Sequence, residues 1–154
     1  MALGNMKICL VASAGGHLAQ MQALGAAWKG STICWVTSLE VGADRLRKEG
    51  TTYVVGECNR HQPINTLKVA WNCFRVAWKE HPQVVLSTGA APGFLVCLFA
   101  RIFGSKIVWI DSIANTRKLS MSGQLIRPFA SLVISQWPEV AARYPNVEYC
   151  GEIL

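Results

Sequence analysis

The chain has 154 residues, 51% of them hydrophobic and only 16% charged. That is one domain with a sizeable core, and the composition excludes a disordered chain, which would be polar and highly charged. Fifteen Lys and Arg against nine Asp and Glu give a net charge of +6, so anionic partners are expected: nucleic acid, anionic lipid or phosphorylated substrates. A mean hydropathy of +0.26 leaves apolar surface available to a membrane or a partner.

The elements follow in chain order. Residues 7–13 form a short apolar run ending at Gly15 and Gly16, which predicts a buried strand and a turn. Apolar residues at 18, 21, 24 and 28 predict a helix over 18–28. A second strand is expected at 32–37, a short exposed helix at 41–49, a third strand at 51–55 and a polar connection at 56–63. The longest helix is predicted over 64–80, stopped by His81–Pro82 because a residue before proline avoids helical dihedrals. A fourth strand at 84–87 leads through a small-residue loop at 88–93 into a helix at 94–103. A fifth strand at 106–110, a helix at 124–130, a sixth strand at 132–135, a helix at 138–144 and a last strand at 147–150 complete the chain.

Strands and helices alternate, and the strands are continuous apolar runs. That pattern predicts an α/β, Rossmann-like parallel sheet with helices on both faces. Ligands of such sheets bind beyond the carboxyl ends of the strands. No apolar stretch approaches the ~20 residues of a spanning helix, so any membrane contact is expected to be peripheral. Cys9, Cys34, Cys58, Cys73, Cys97 and Cys150 form no CxxC pair. Without a signal peptide they are expected to be buried, reduced thiols of a cytosolic protein, with neither a disulfide framework nor a metal site.

Three loops follow from that rule. Ser13, Gly15, Gly16 and His17 follow the first strand and open a helix. Glycines let a backbone approach a bulky anion, and free N–H groups at a helix start attract it. A tight turn with no ligand explains the same glycines. A dinucleotide site is the competitor, but G-x-G-x-x-G is not met, and Glu40 stands only near the place of its acidic ribose partner. His17 is the candidate base, because histidine accepts a proton near neutral pH. The second loop carries Gly89 and Gly93. Paired with the first, it suggests a pocket for a diphosphate or a sugar. The third carries Asp111, Asn115 and Arg117. Here Arg117 and Lys118 can face phosphate, or the loop is a solvated one in which Asp111 caps a helix.

Charge is concentrated in residues 60–127, where nine Lys and Arg stand against Glu80 and Asp111. On the long helix Lys68, Asn72, Arg75 and Lys79 form one stripe flanked by Leu67, Trp71 and Trp78. Tryptophan beside basic residues suits a membrane–water interface. An ordinary amphipathic helix with its tryptophans packed on the sheet is the alternative. Nucleic acid is disfavoured because no reader motif is present.

The segments SAGGHLAQM, STGAAPG, IDSIANTRKLSMSGQLIRP and ISQWPEVAARYPNVEYCGEIL, in this order, resemble one subunit of the two-part glycosyltransferases. In eukaryotes such a subunit anchors and completes the UDP-N-acetylglucosamine transferase that adds the second sugar to dolichol-linked oligosaccharide. Bacterial counterparts serve capsule and exopolysaccharide synthesis. The Gly-Gly-His loop is also similar to that of the lipid-intermediate transferase of peptidoglycan synthesis. The resemblance implies the N-terminal, acceptor-binding half of a GT-B fold. It also implies an inverting reaction without metal or cofactor, and a separate donor-binding glycosyltransferase subunit with UDP-sugar at the interface. The acceptor would be a polyprenyl-diphosphate saccharide at the cytoplasmic face of the membrane. His17 would be the catalytic base. Ser13, Gly15, Gly16, Gly89, Gly93, Asp111, Asn115 and Arg117 would hold the acceptor, and Lys68, Trp71, Arg75, Trp78 and Lys79 would face the membrane. The C-terminal end, residues 149–154, is expected at the subunit contact. A non-catalytic scaffold that activates a separate catalytic subunit is the alternative, and a nucleotide-dependent oxidoreductase a more distant one.

Overall fold

A computed structural model of the chain describes residues 6–58 and 61–153. Seven strands form one all-parallel sheet in the order β3-β2-β1-β4-β5-β6-β7. They are β1 (Lys7–Val11), β2 (Thr32–Thr37), β3 (Thr51–Val54), β4 (Val84–Ser87), β5 (Lys106–Ile110), β6 (Leu132–Ser135) and β7 (Val147–Tyr149). The order reverses between β1 and β4, which makes their carboxyl ends the topological switch point where doubly wound sheets place their ligands. The Gly15–Gly16 and Thr88–Gly89 loops sit at that point.

Side chains alternate across each strand, so the sheet feeds two cores. Leu10, Trp35 and Ile8 pack with Met21, Trp28 and Leu46 under α1 (Gly16–Ala23) and α2 (Ala43–Arg47). Cys9, Val36, Val85, Ile107, Trp109 and Val133 form the opposite core with α3 (Pro63–Glu80), α4 (Ala90–Ile102) and α5 (Met121–Ile126). A last short helix, α6 (Pro138–Ala141), precedes β7.

Several boundaries depart from expectation for local reasons. The first helix begins at Gly16 and gives way after Ala23 to a 3₁₀ turn, Gly25–Trp28. The fourth helix begins at Ala90, earlier than its apolar run, because Pro92 sits in the first turn, where no N–H is required. The fifth begins at Met121 instead of 124, because the Ser120 hydroxyl accepts the Gly123 N–H at 2.9 Å and caps it.

All cysteines of the described residues are free, but they are not uniformly buried. Cys9, Cys34, Cys73 and Cys97 are buried, Cys58 is intermediate and Cys150 is exposed. Burial pushes the Cys73 thiol up to about 12. The Cys34 hydrogen bond, followed by burial, raises Cys9 well above its ordinary value. The buried thiols therefore act as small core residues.

Edge strand β3 is pinned to the far end of α3. Tyr53 donates its hydroxyl to the Glu80 carboxylate, which also pairs with Lys7 Nζ at 2.7 Å. Lys79 Nζ lies 5.5 Å from the centre of the Tyr53 ring. Burial alone pushes Glu80 up, but its bonds from Lys7 and Tyr53 outweigh that and hold it below the ordinary carboxylate range. Burial and the Glu80 contact push the Tyr53 phenol up, so it stays a donor. A depressed carboxylate contributes stability above its unfolded pKa of about 4.3, lost as pH falls through the lower folded value. Thermal melts of wild type and Glu80→Gln should therefore differ most near neutral pH and converge in acid. A difference that stays constant down to pH 2 would contradict this role.

Candidate functional site

The two glycine loops are joined by reciprocal hydrogen bonds. His17 Nδ1 lies 2.6 Å from the Thr88 carbonyl oxygen, and Thr88 Oγ1 donates to the His17 carbonyl at 2.8 Å. A carbonyl only accepts, so His17 Nδ1 carries the hydrogen and Nε2 is left with a lone pair. The first turn of α1 and the β4–α4 connection thus form one unit across the β1–β4 switch point.

Gly89 makes this approach possible. Its φ of +125° suits glycine, and a Cβ there would stand 2.8 Å from His17 Cε1. The imidazole therefore brings its Cε1 and Nδ1 against Gly89. Gly93 has a different job. It sits inside the first turn of α4, where a Cβ would collide with Ser87 Oγ. Its small size brings α4 close to β4 and presents no open backbone. Gly15 and Gly16 face open space, with nothing within 4 Å of a Cβ on either. At Gly16 neither dihedral nor neighbour demands glycine, and its absent side chain leaves the entrance to α1 clear.

A cleft of ≈ 460 Å³ lies beside the joined loops, bounded by Ser13, Ser38, Glu57, Cys58 and His61 together with the first turn of α4. Ser38 is 2% exposed, and its hydroxyl accepts the Ala14 N–H at 3.4 Å. The sequence reading passed over Thr88 as an individual residue, and over Ser38, Glu57 and His61. Position offered a signal, since Ser38 follows β2 and the other two follow β3, both at carboxyl ends of strands.

The third loop has a structural logic. Asp111 is 2% exposed. Its Oδ1 accepts from Trp109 Nε1 at 3.1 Å and Ser120 Oγ at 2.6 Å. Its Oδ2 accepts from Asn115 Nδ2 at 3.0 Å and Ser120 N at 2.8 Å. Four bonds saturate the carboxylate, so Asp111 and Asn115 tie the β5–α5 loop to the start of α5. The middle of the loop, Ala114 and Thr116 to Lys118, stays exposed, so a buried Asp111 anchors a solvated loop to the start of α5. Gln136 extends the knot: its Nε2 donates to the Asp111 carbonyl at 3.0 Å, and its Oε1 accepts from Ile153 N at 3.0 Å. Arg117 is exposed, and its carbonyl accepts from Arg143 Nη1 at 2.9 Å. Glu40, the residue nearest to a ribose partner, pairs with Arg47 at 2.9 Å.

The predicted membrane-facing residues share the outer surface of α3. Lys68, Arg75 and Lys79 are exposed, and Trp71 and Trp78 remain 60% and 58% exposed. The alternative in which these tryptophans pack on the sheet is thereby removed. Phe74 stacks between them, with ring centres 5.5 Å and 6.4 Å away, and meets Phe99 and Phe103 of the α4 region. Elsewhere in the basic region two arginines are engaged by the backbone. Arg101 donates to the Ser105 carbonyl and Arg127 to the Pro145 carbonyl, while Arg60 lies outside the described residues. No helix among the described residues is long and apolar enough to cross a membrane.

The fold is shared with the crystal structure of Acinetobacter baumannii MurG, at a TM-score of 0.71 and 17% identity over 88% of this chain and 43% of that one. UDP-GlcNAc 2-epimerase from Methanocaldococcus jannaschii aligns at a TM-score of 0.61 and 13% identity, over 84% of this chain and 39% of that one. The sheet is thus that of the N-terminal half of a GT-B enzyme. Among sequence relatives, the UDP-N-acetylglucosamine transferase subunit alg14 of Schizosaccharomyces pombe is 34% identical over 88 residues, 54% of this chain and 40% of that protein. The ALG14 subunit of Eremothecium gossypii is 28% identical over 96% of this chain and 80% of its own length. The human ALG14 subunit is 30% identical over 59% of this chain and 45% of its own. The match to the S. pombe relative therefore spans less than half of that protein. The family described as "Oligosaccharide biosynthesis protein Alg14 like" matches residues 45–153, and the chain belongs to that family.

Proposed function

We propose that the chain is the acceptor-binding part of a heteromeric glycosyltransferase. It moves N-acetylglucosamine, the sugar in the relatives' names, from its UDP carrier to a polyprenyl-diphosphate-linked saccharide. The observation that carries this reading is the His17–Thr88 pair, which turns Nε2 into a fixed proton acceptor beside an unobstructed glycine turn. In the reaction an acceptor hydroxyl attacks the donor's anomeric carbon. The new C–O bond forms as the bond to the UDP oxygen breaks, with inversion, and the hydroxyl proton passes to His17 Nε2.

The glycine turns and Ser13 line the acceptor's approach, and the free N–H groups at the start of α1 favour its diphosphate. Asp111 and Asn115 act from behind by holding the neighbouring loop, from which the exposed Arg117 can reach phosphate. The donor half belongs to a partner, which accords with the relatives' being named subunits. The partner's contact lies, in this reading, at residues 149–154, and the exposure of Tyr149 (47%) and Cys150 supports it. The exposed α3 face rests on the cytoplasmic leaflet as a peripheral membrane contact.

General-base assistance is worth ~10²–10⁴-fold. His17→Ala should lose about that in turnover while the partner still co-purifies; wild-type turnover would leave the chemistry to the partner and favour a scaffold. Deleting residues 151–154, of which Leu154 lies outside the described residues, should weaken co-purification without unfolding the domain. It also removes the Ile153 donor to Gln136, a loss of about 1 kcal/mol. Unchanged co-purification would move the contact elsewhere. Three cations near an anionic surface supply roughly 3 kcal/mol, at about 1 kcal/mol each. Lys68→Glu, Arg75→Glu and Lys79→Glu together should release the protein from anionic vesicles with the fold retained, at the small melting loss that a carboxylate beside Tyr53 and Glu80 brings. Continued sedimentation would place docking on another surface.

A further inference from the structure

A groove of ≈ 660 Å³ lies outside the cleft, between the outer edge of β3 and the second half of α3. Tyr53, Val54 and Val55 form its strand side, and Trp71, Phe74 and Trp78 its helix side. Its size is within the ~300–1,000 Å³ usual for small-molecule sites. The polar side chains that reach it from the floor are already engaged: the Tyr53 hydroxyl on Glu80, and the Asn72 amide on the Val55 carbonyl at 3.2 Å. What remains for a ligand is hydrocarbon surface bordered by Arg75 and Lys79. The ion pairs among the described residues use only Lys7 and Arg47 as cations, so neither rim cation is neutralised by one.

The groove is also joined to the cleft. Val55 lines the groove and Glu57 the cleft, with only Gly56 between them. The α3 helix starts at the cleft end of the sheet and runs ~27 Å, at 1.5 Å per residue, towards Lys7 at the other end. A ligand with an anionic head at the glycine turns and an apolar chain can therefore follow one continuous wall.

We infer that the β3–α3 groove receives the first isoprene units of the acceptor's polyprenyl chain, drawing them out of the bilayer while the diphosphate lies at the glycine turns. This rests on the lipid-linked acceptor proposed above. A peptide strand would pair with the outer main-chain edge of β3, but it carries no diphosphate to reach the glycine turns. An acyl chain of an ordinary phospholipid is the remaining rival.

The test titrates the full chain by calorimetry with farnesyl diphosphate, inorganic pyrophosphate and oleoyl lysophosphatidate, all without vesicles. Farnesyl diphosphate should bind at least tenfold more tightly than either of the others. Asn72→Glu, which puts a charge on the groove floor where the Asn72 amide now meets the Val55 carbonyl, should abolish that advantage and leave pyrophosphate binding unchanged. Asn72→Trp, which fills the same space without charge, should do likewise. Should either variant melt early, a diazirine analogue of farnesyl diphosphate on the wild-type chain settles the point by labelling residues 53–55 and 71–78. Equal binding of farnesyl diphosphate and pyrophosphate, equal binding of the acyl lipid, or labelling elsewhere would overturn the assignment. The probes need neither partner nor sugar donor. A chain that binds farnesyl diphosphate here but supports no sugar transfer would refute the proposed function and leave the groove assignment standing.

Discussion

The site depends on two hydrogen bonds between residues 71 positions apart, the reciprocal bonds of His17 and Thr88. They close the switch point of the sheet, where β1 and β4 lie side by side and their connections depart to opposite faces. Without them, the first turn of α1 and the turn before α4 would be two independent loops. With them, the imidazole is oriented by a group that only accepts, so in the neutral ring Nδ1 carries the hydrogen and Nε2 the lone pair. The same contact explains Gly89, because any larger residue would push the ring away.

The α3 helix performs two jobs on two sides. Val69, Cys73, Val76 and Ala77 bury against the sheet, while Trp71, Phe74 and Trp78 stack outward with a basic stripe beside them. The stacking costs exposed aromatic area that a monomer in water would not retain without use. The cluster of Tyr53, Glu80 and Lys7 then fixes the far end of the helix to the edge strand, keeping the groove between them open. Local charge pairing at one end of α3 thus supports an apolar surface along its length.

Much of this was legible in the residues. Parallel strands announced themselves as unbroken apolar runs, and the loops at their carboxyl ends marked the region of the site. His17 was singled out as the polar residue at the first turn, but its partner was not, because a pairing to a backbone carbonyl 71 positions away leaves no trace in spacing. Asp111 looked like a ligand because a carboxylate after a strand so often is one. Only the geometry reveals that Trp109, Asn115 and Ser120 already occupy both oxygens. Gly93 misled in a similar way, since a glycine needed for close helix packing and one that bares backbone to a ligand are spelled alike. Within the basic region from residue 60 to 127, the stripe on α3 was the part with a period, and its cations are exposed along that helix.

The central claim is that Thr88 fixes which nitrogen of His17 is free to accept a proton. Nitrogen-15 NMR of the histidine rings tests it most directly, since the two tautomers of a neutral imidazole give distinct patterns of nitrogen shifts and couplings. Neutral His17 should carry its hydrogen on Nδ1, and should lose this preference when Gly89→Val displaces the ring from Thr88. A neutral His17 protonated on Nε2 in the wild-type chain would contradict it.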